Sequence, residues 1–598
     1  MTDNTGLSRR GFLKATGGAA AAVSVAGCIG SDDGGDSGGS QTPQKGGTLQ
    51  LINSTMSTFD PVAADDTASG RVIQQLHDPL VNYPHGEVEV KNLLAKSVET
   101  NEDKTVYTFT LKDATFHNGD PVTASDVVYS LERVAGSPHS VRSDFILNSI
   151  GVTHDTDGDG NYQSGSLGVT AVDEKTVEME IEQPFHAVLE VLAYSAFAIV
   201  PEGIVGSLSD EGSPDSPSSQ YEEFATKQPV GAGPFQFDHW ELQTEAAVNR
   251  FDDYHGEVAK VDDVLWHVIE DDSAAFNKAM GGEADIFEIP TAKFEKNSVS
   301  EDKTDDKNRV TGSYGPVRGK TLDYLKYPEV GTYYIAFNEQ NVIKPVRQAV
   351  AYVFNQDDFV ENTMKGRADP AYHLTPELIY PGGTEAAQKH AEQYPYSPGE
   401  SDIESAKQVM QDAGFGPDNR YQLEFTHYES DTYSKLAKQL QQQLQGAFID
   451  LSINQSKFQT LLQRGENGRN ELYSLGWIAD WPRPDNFMKL LYPPNTVTGD
   501  PASYTYLDWG QTDQSSAAGA ARTAFETVES NLTPTQEAQD TRNAEYVKME
   551  EANWEDAMII PTHHSVTELF SYQDVHIPDK IGGMGFSRNK CNTIWKEQ

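Results

Sequence analysis

Basic residues are scarce in this 598-residue chain: 45 Lys and Arg stand against 91 Asp and Glu, a net charge of −46. Nucleic-acid binding needs a positive footprint on phosphates, and none is visible, so that class of partner is excluded. Cysteine is scarcer still, with only Cys28 and Cys591. Two cysteines rule out a disulfide framework and a cysteine metal cluster, and no metal or cofactor is expected. No apolar run reaches the roughly 18 residues of a membrane-spanning helix. Also missing are a Walker-A lysine motif, a Gly-x-Ser-x-Gly elbow and a His-Glu-x-x-His helix. The chain therefore offers no catalytic constellation, and an enzyme is not expected.

The acids that are present are spread over the whole sequence, as in Asp252-Asp253, Asp262-Asp263 and Glu270-Asp271-Asp272. An acidic tail would concentrate them. Self-repulsion on this scale destabilises a compact state in ordinary salt. In molar salt the Debye length falls to about 3 Å and the repulsion is screened. The pattern reads as the surface of a halophile's protein. A disordered acidic chain is excluded by 37 % hydrophobic and 10 % aromatic residues, enough for a sizeable core.

The N-terminus reads as an export signal. Ser8-Arg9-Arg10-Gly11-Phe12-Leu13-Lys14 resembles a twin-arginine motif, and the short run from Ala15 to Ala26 suits a signal's apolar segment. Val25-Ala26-Gly27-Cys28 resembles a lipobox, which makes Cys28 the lipidated first residue of the mature chain. Removing residues 1–27, with Asp3 against Arg9, Arg10 and Lys14, leaves a charge of −48. Residues 28–45 are rich in Gly, Ser and Asp and read as a flexible tether. The expected location is the outer face of the cell membrane, lipid-anchored, reached by folded export through the twin-arginine route.

About 550 remaining residues imply more than one domain. Val106-Tyr107-Thr108-Phe109-Thr110-Leu111 alternates as a half-buried strand. Thr123 and Asp126 form a capping box for a helix. Ser401 with Glu404, and Thr533 with Pro534, predict two further helix starts. Residues 188–200, 333–337 and 558–560 read as apolar strands, and 207–219 and 298–307 as surface insertions. Asp155-Thr156-Asp157-Gly158-Asp159-Gly160 resembles the start of a calcium loop. Ser166 stands where such a loop needs a bidentate Glu, so an acidic surface loop is the favoured reading. His563 and His564 are adjacent and would point to opposite faces of a strand, against a metal pair. Arg347 is expected to make an ion pair within its lobe, with a ligand-carboxylate clamp as the lesser alternative.

Markers along the body run in one order: Gly46-Gly47-Thr48-Leu49, Phe59-Asp60-Pro61, and Tyr107-Thr108-Phe109-Thr110-Leu111 through Phe116-His117-Asn118-Gly119-Asp120-Pro121 to Leu131. Pro229-Val230-Gly231-Ala232-Gly233-Pro234-Phe235, Phe337-Asn338 and Gly476-Trp477-Ile478-Ala479-Asp480-Trp481-Pro482 follow. In these markers the chain resembles the solute-binding proteins of ABC importers for peptides and nickel. Arg483 departs from the family's Asp-Pro-Asp after the Trp-containing strand.

The resemblance implies an α/β, two-lobed periplasmic-binding-protein-like fold with mixed sheets and an additional subdomain in the first lobe. The first lobe is expected at residues 46–325, with its subdomain at about 70–185. The second lobe would span 326–554, and residues 555–598 would return to the first. Hinge crossings are expected near 325–333 and 554–561. The implied function is a monomeric, non-catalytic receptor that binds a solute, a short peptide before a nickel chelate or sugar, and delivers it to ABC permease subunits. A secreted surface hydrolase is the alternative from another class, and the missing motifs count against it.

The ligand site is expected around residues 473–481. Ligand backbone would pair with Gly476 and Ile478 by strand addition. Trp477, Trp481 and Tyr473 would pack on the ligand, and Asn338 joins them from its marker. In the family's peptide binders the acid at the Asp480 position pairs with the ligand amine, so the resemblance gives Asp480 that role. The alternative is a core strand whose tryptophans pack between layers.

Overall fold

Two long strands organise the body. Lys320–Phe337 and Ile559–Ser571 pair antiparallel at the centre of a mixed sheet that has 13 strands among the described residues. On one side lie Leu472–Ile478, Tyr421–Tyr428 and Ile449–Ser456; on the other, Ile286–Phe287, Thr48–Asn53, Asp263–Val268, Glu245–Arg250 and Phe235–Glu241. The central ladder runs from Asp323↔Ser571 to Pro328↔Val566, breaks, and resumes at Thr332↔His564. Pro328 has no N–H to give the ladder, and the residues up to Gly331 bulge out of register. A second, four-stranded antiparallel sheet joins Ala95–Thr100, Val106–Leu111, Thr176–Glu180 and Val169–Ala171. The computed structural model describes residues 44–207, 218–500, 503–511, 515–578, 581–585 and 589–597. The export signal, Cys28 and the tether up to residue 43 lie outside the described residues, as does most of the 207–219 stretch.

Local sequence explains much of this. Tyr107, Phe109 and Leu111 turn inward on Val106–Leu111, as the alternation requires. Thr123 and Asp126 form the capping box of the helix Ala124–Gly136. Near the end of that helix Arg133 meets Asp60 of the Phe59-Asp60-Pro61 marker. The two guanidinium nitrogens reach the two carboxylate oxygens at 3.0 and 2.9 Å, with both side chains buried. The Gly231 and Gly233 marker has a steric reason. A Cβ at 231 would stand 2.1 Å from the Leu76 carbonyl, and one at 233 would stand 2.4 Å from the Gln75 carbonyl.

Several expectations are corrected, and the acidic loop and the adjacent histidines are given their partners. The apolar run 188–200 forms the helix Val188–Leu192 and the turn Ser195–Phe197 in place of a strand. Residues 298–307 build a strand, Val299–Thr304, paired with Val310–Val317. Asp402, not Ser401, caps Ile403–Asp412, and Thr535, not Thr533, caps Gln536–Asp556. Arg347 is buried and donates to the carbonyls of Asp556 and Val342 at 2.8 and 2.7 Å. Asp157 closes the acidic loop on itself, accepting from the N–H groups of Asp159 and Asn161. His563 and His564 are both buried, the first stacked on Tyr333 and the second bonded to the His373 carbonyl.

The C-terminal segment returns to the sheet's other half. Lys596 contacts both carboxylate oxygens of Asp285 at 2.9 Å, and Lys590 lies 2.6 Å from Asp78. Cys591 is free and buried, and burial pushes its thiol up to about 12. Among the described residues no helix is long and apolar enough to cross a membrane.

Candidate functional site

The strand Leu472–Ile478 pairs with Lys320–Phe337 along its full length. On its other edge Tyr421–Tyr428 reaches only Leu472 and Tyr473. Residues 474–478 therefore have no strand partner on that side among the described residues. The Ala479 N–H donates to the Val330 carbonyl. By strand alternation, Ile478 and Gly476 turn their N–H and C=O groups to the unpaired edge.

Ile478 and Ala479 line a cleft of about 800 Å³. Its other walls come from both halves of the sheet: Leu51–Ser54, Trp266, residues 286–291, Glu329 and Val330, and residues 566–569. Apolar wall therefore alternates with charge. Arg71 lies 3.8 Å from Glu288, and Arg367 pairs closely with Glu568, which also accepts from the Tyr324 hydroxyl at 2.6 Å. Glu329 sits in the register break of the central ladder and accepts from the Thr567 hydroxyl. Burial holds its carboxyl above the usual carboxylate range.

The expected site residues divide into three groups. Ile478 is 69 % exposed and faces the cleft. Trp477, Asp480 and Trp481 form a neighbouring cage that does not line it. Asp480 accepts from Lys489 Nζ at 3.4 Å and from Asn486 Nδ2 at 3.3 Å. The Lys489 ammonium also stands 4.7, 5.1 and 4.5 Å from the ring centres of Trp477, Trp481 and Tyr504. Burial holds the Lys489 amine below its ordinary value, against the pull of Asp480. Trp477 and Trp481 donate their indole N–H groups to Asn486 and Asp485.

Tyr473 and Asn338 belong to the core. Tyr473 is fully buried, and Asn338 donates to Asp508 at 2.6 Å and to the Tyr506 carbonyl at 3.0 Å. Gly476 makes room for a side chain of this protein, since a Cβ there would stand 2.7 Å from the Tyr333 ring.

Sequence reasoning missed Lys489, Asn486 and Glu329. Asn486 and Lys489 are three apart around the short helix Asp485–Met488, which Pro484 begins. That spacing was the available signal for the cage. Arg483, the departure from the family pattern, donates through Nε to Glu190 at 2.9 Å. Beside it Trp481 packs edge-on against Phe145 and Phe185, with ring centres 5.9 and 6.4 Å away.

Two α/β halves joined through continuous strands around a solute-sized cleft define a two-lobed binding protein. The chain belongs to the bacterial extracellular solute-binding proteins, family 5, whose middle-region model matches residues 89–499. It is a solute-binding receptor and not an enzyme. The oligopeptide-binding protein OppA of Bacillus subtilis (strain 168) is 23 % identical over 485 residues, 78 % of this chain and 81 % of that protein. The glutathione-binding protein GsiB of Salmonella typhi is 24 % identical over 462 residues, 74 % of this chain and 78 % of that protein.

Two solved structures share the fold. CtaP, an ABC transporter substrate-binding protein from Listeria monocytogenes, matches with a TM-score of 0.71 at 20 % identity, over 92 % of this chain and all of that one. DppA from Helicobacter pylori, solved with the peptide STSA, matches with a TM-score of 0.65 at 22 % identity, over 93 % and 99 % of the two chains.

Proposed function

We propose that this protein is a lipid-anchored receptor on the outer face of the membrane that binds a short peptide in its cleft and passes it to an ABC permease. The observation that carries the reading is the unpaired edge of Leu472–Ile478, whose exposed end at Ile478 opens on the 800 Å³ cleft. An extended peptide satisfies such an edge by strand addition, with its side chains in the cleft. The peptide-named relatives and the peptide held by the Helicobacter protein support it. Residues before about 328 and after about 566 form one lobe with the C-terminal segment, and the stretch between forms the other. Closure bends both long strands at the Pro328–Gly331 break. Calorimetric titration with a tetrapeptide is expected to give saturable binding, with the peptide recovered intact by mass spectrometry. Hydrolysis of the peptide, or no binding by any short peptide, overturns this reading.

Two further outcomes follow from the sequence. Cys28→Ser is expected to release the protein into the medium with unchanged peptide affinity, because the lipid and not the body holds it. Retention of the variant in washed membranes overturns the anchor. The body is also expected to lose melting temperature as salt falls from molar to about 0.1 M, where the Debye length grows to about 10 Å. A melting temperature flat across that range would show that the charge of −48 needs no screening.

A further inference from the structure

A cleft selects ligand charge with whatever carboxylates it leaves unneutralised. The obvious candidate, Asp480, is already matched: Lys489 lies 3.4 Å away and fills the space between Trp477, Trp481 and Tyr504 that a ligand ammonium would need. Of the acids on the cleft wall, Glu288 and Glu568 are paired with Arg71 and Arg367. Glu270 is held by the N–H and hydroxyl of Thr55 at 2.6 Å, and Asp272 is exposed on the first turn of its helix. Glu329 is different. Like Glu270 and Asp272 it has no basic side chain within 4.0 Å among the described residues, but those two acids are exposed, whereas Glu329 is half-buried in the strand break and faces the cleft. Its close partners are the neutral hydroxyls of Thr567 and Ser565, and the Arg71 guanidinium on the same cleft wall favours its ionised form only from farther off.

We propose that Glu329, and not Asp480, is the carboxylate with which this receptor holds a ligand cation, the ammonium of a peptide N-terminus or of a basic side chain. This rests on the peptide reading above. The raised pKa of Glu329 accords with a carboxyl that lacks a close cation, since burial disfavours its ionised form until a cation arrives. Its place in the break matters as well. A cation bound there touches the segment that closure bends, so ligand charge and lobe closure act on the same few residues.

Calorimetric titration in molar salt with three peptides tests this: tetra-alanine with a free amine, its N-acetyl twin, and an N-acetyl tetrapeptide with one lysine. The wild type is expected to bind at least one of the two cationic peptides about 30-fold more tightly than the neutral one, the lower end of what losing one member of a buried charge pair costs. Which one is preferred tells the N-terminal from the side-chain source. Glu329→Gln is expected to bind all three equally, with its melting temperature close to wild type. Asp480→Asn is expected to keep the preference. Survival of the preference in Glu329→Gln, its loss in Asp480→Asn, or equal wild-type affinity for all three overturns the assignment and leaves the peptide reading standing. Binding of none of the three overturns both.

Discussion

Acidifying the protein from pH 7 to pH 5 is expected to unfold it cooperatively, even in molar salt. Six buried histidines drive this. Burial lowers His77, His373 and His563 to about 3, and His117, His186 and His564 to about 4. In the unfolded chain each returns to about 6.5. Below that value the unfolded state binds protons that the folded state refuses, so stability is whole above about pH 6.5 and is lost as pH falls toward the folded values. Each imidazole then costs about 2 kcal/mol by pH 5. Six such losses rival the entire stability of an ordinary domain, about 5–15 kcal/mol. Circular dichroism against pH checks this, and a midpoint below pH 4 would assign the transition to carboxylates and remove the histidines from the account.

Asp60→Ala is expected to cost about 3–5 kcal/mol, because it takes from the buried Arg133 guanidinium the carboxylate that meets two of its nitrogens. The pair is bidentate and buried on both sides, so bulk salt does not screen it. Replacing both residues, Asp60→Leu with Arg133→Met, is expected to recover much of the loss, since an apolar pair leaves no charge uncompensated. Denaturant unfolding in molar salt separates the cases. A single variant within 1 kcal/mol of wild type, or a double variant no better than the single, contradicts this account of the Phe59-Asp60-Pro61 marker.

The fold was legible wherever a local rule agreed with its surroundings. The alternation of Tyr107, Phe109 and Leu111 and the Thr123 capping box needed no tertiary information. The apolar run at 188–200 was ambiguous by nature, since a short fully buried segment has no period to distinguish strand from helix. The 299–304 strand was hidden for the opposite reason: nearly all its residues are exposed, so no face is marked by apolar side chains.

At the site, the strand and the cage tryptophans could be read, but the partner of Asp480 could not. Lys489 reaches it only because the chain reverses after Pro482 and Pro484 and enters a short helix. Glu329 was invisible because its importance comes from a register break between strands more than 200 residues apart.

The strand Ile559–Ser571 bridges Lys320–Phe337 and Ile286–Phe287, yet it is synthesised after both of them. Until it emerges, the long strand lacks one neighbour and the two halves of the sheet are unconnected. The nascent polypeptide must therefore hold two incomplete hydrophobic surfaces apart until that strand is made. A stop codon anywhere before residue 559 would leave two half-sheets with open edges and no means of joining them.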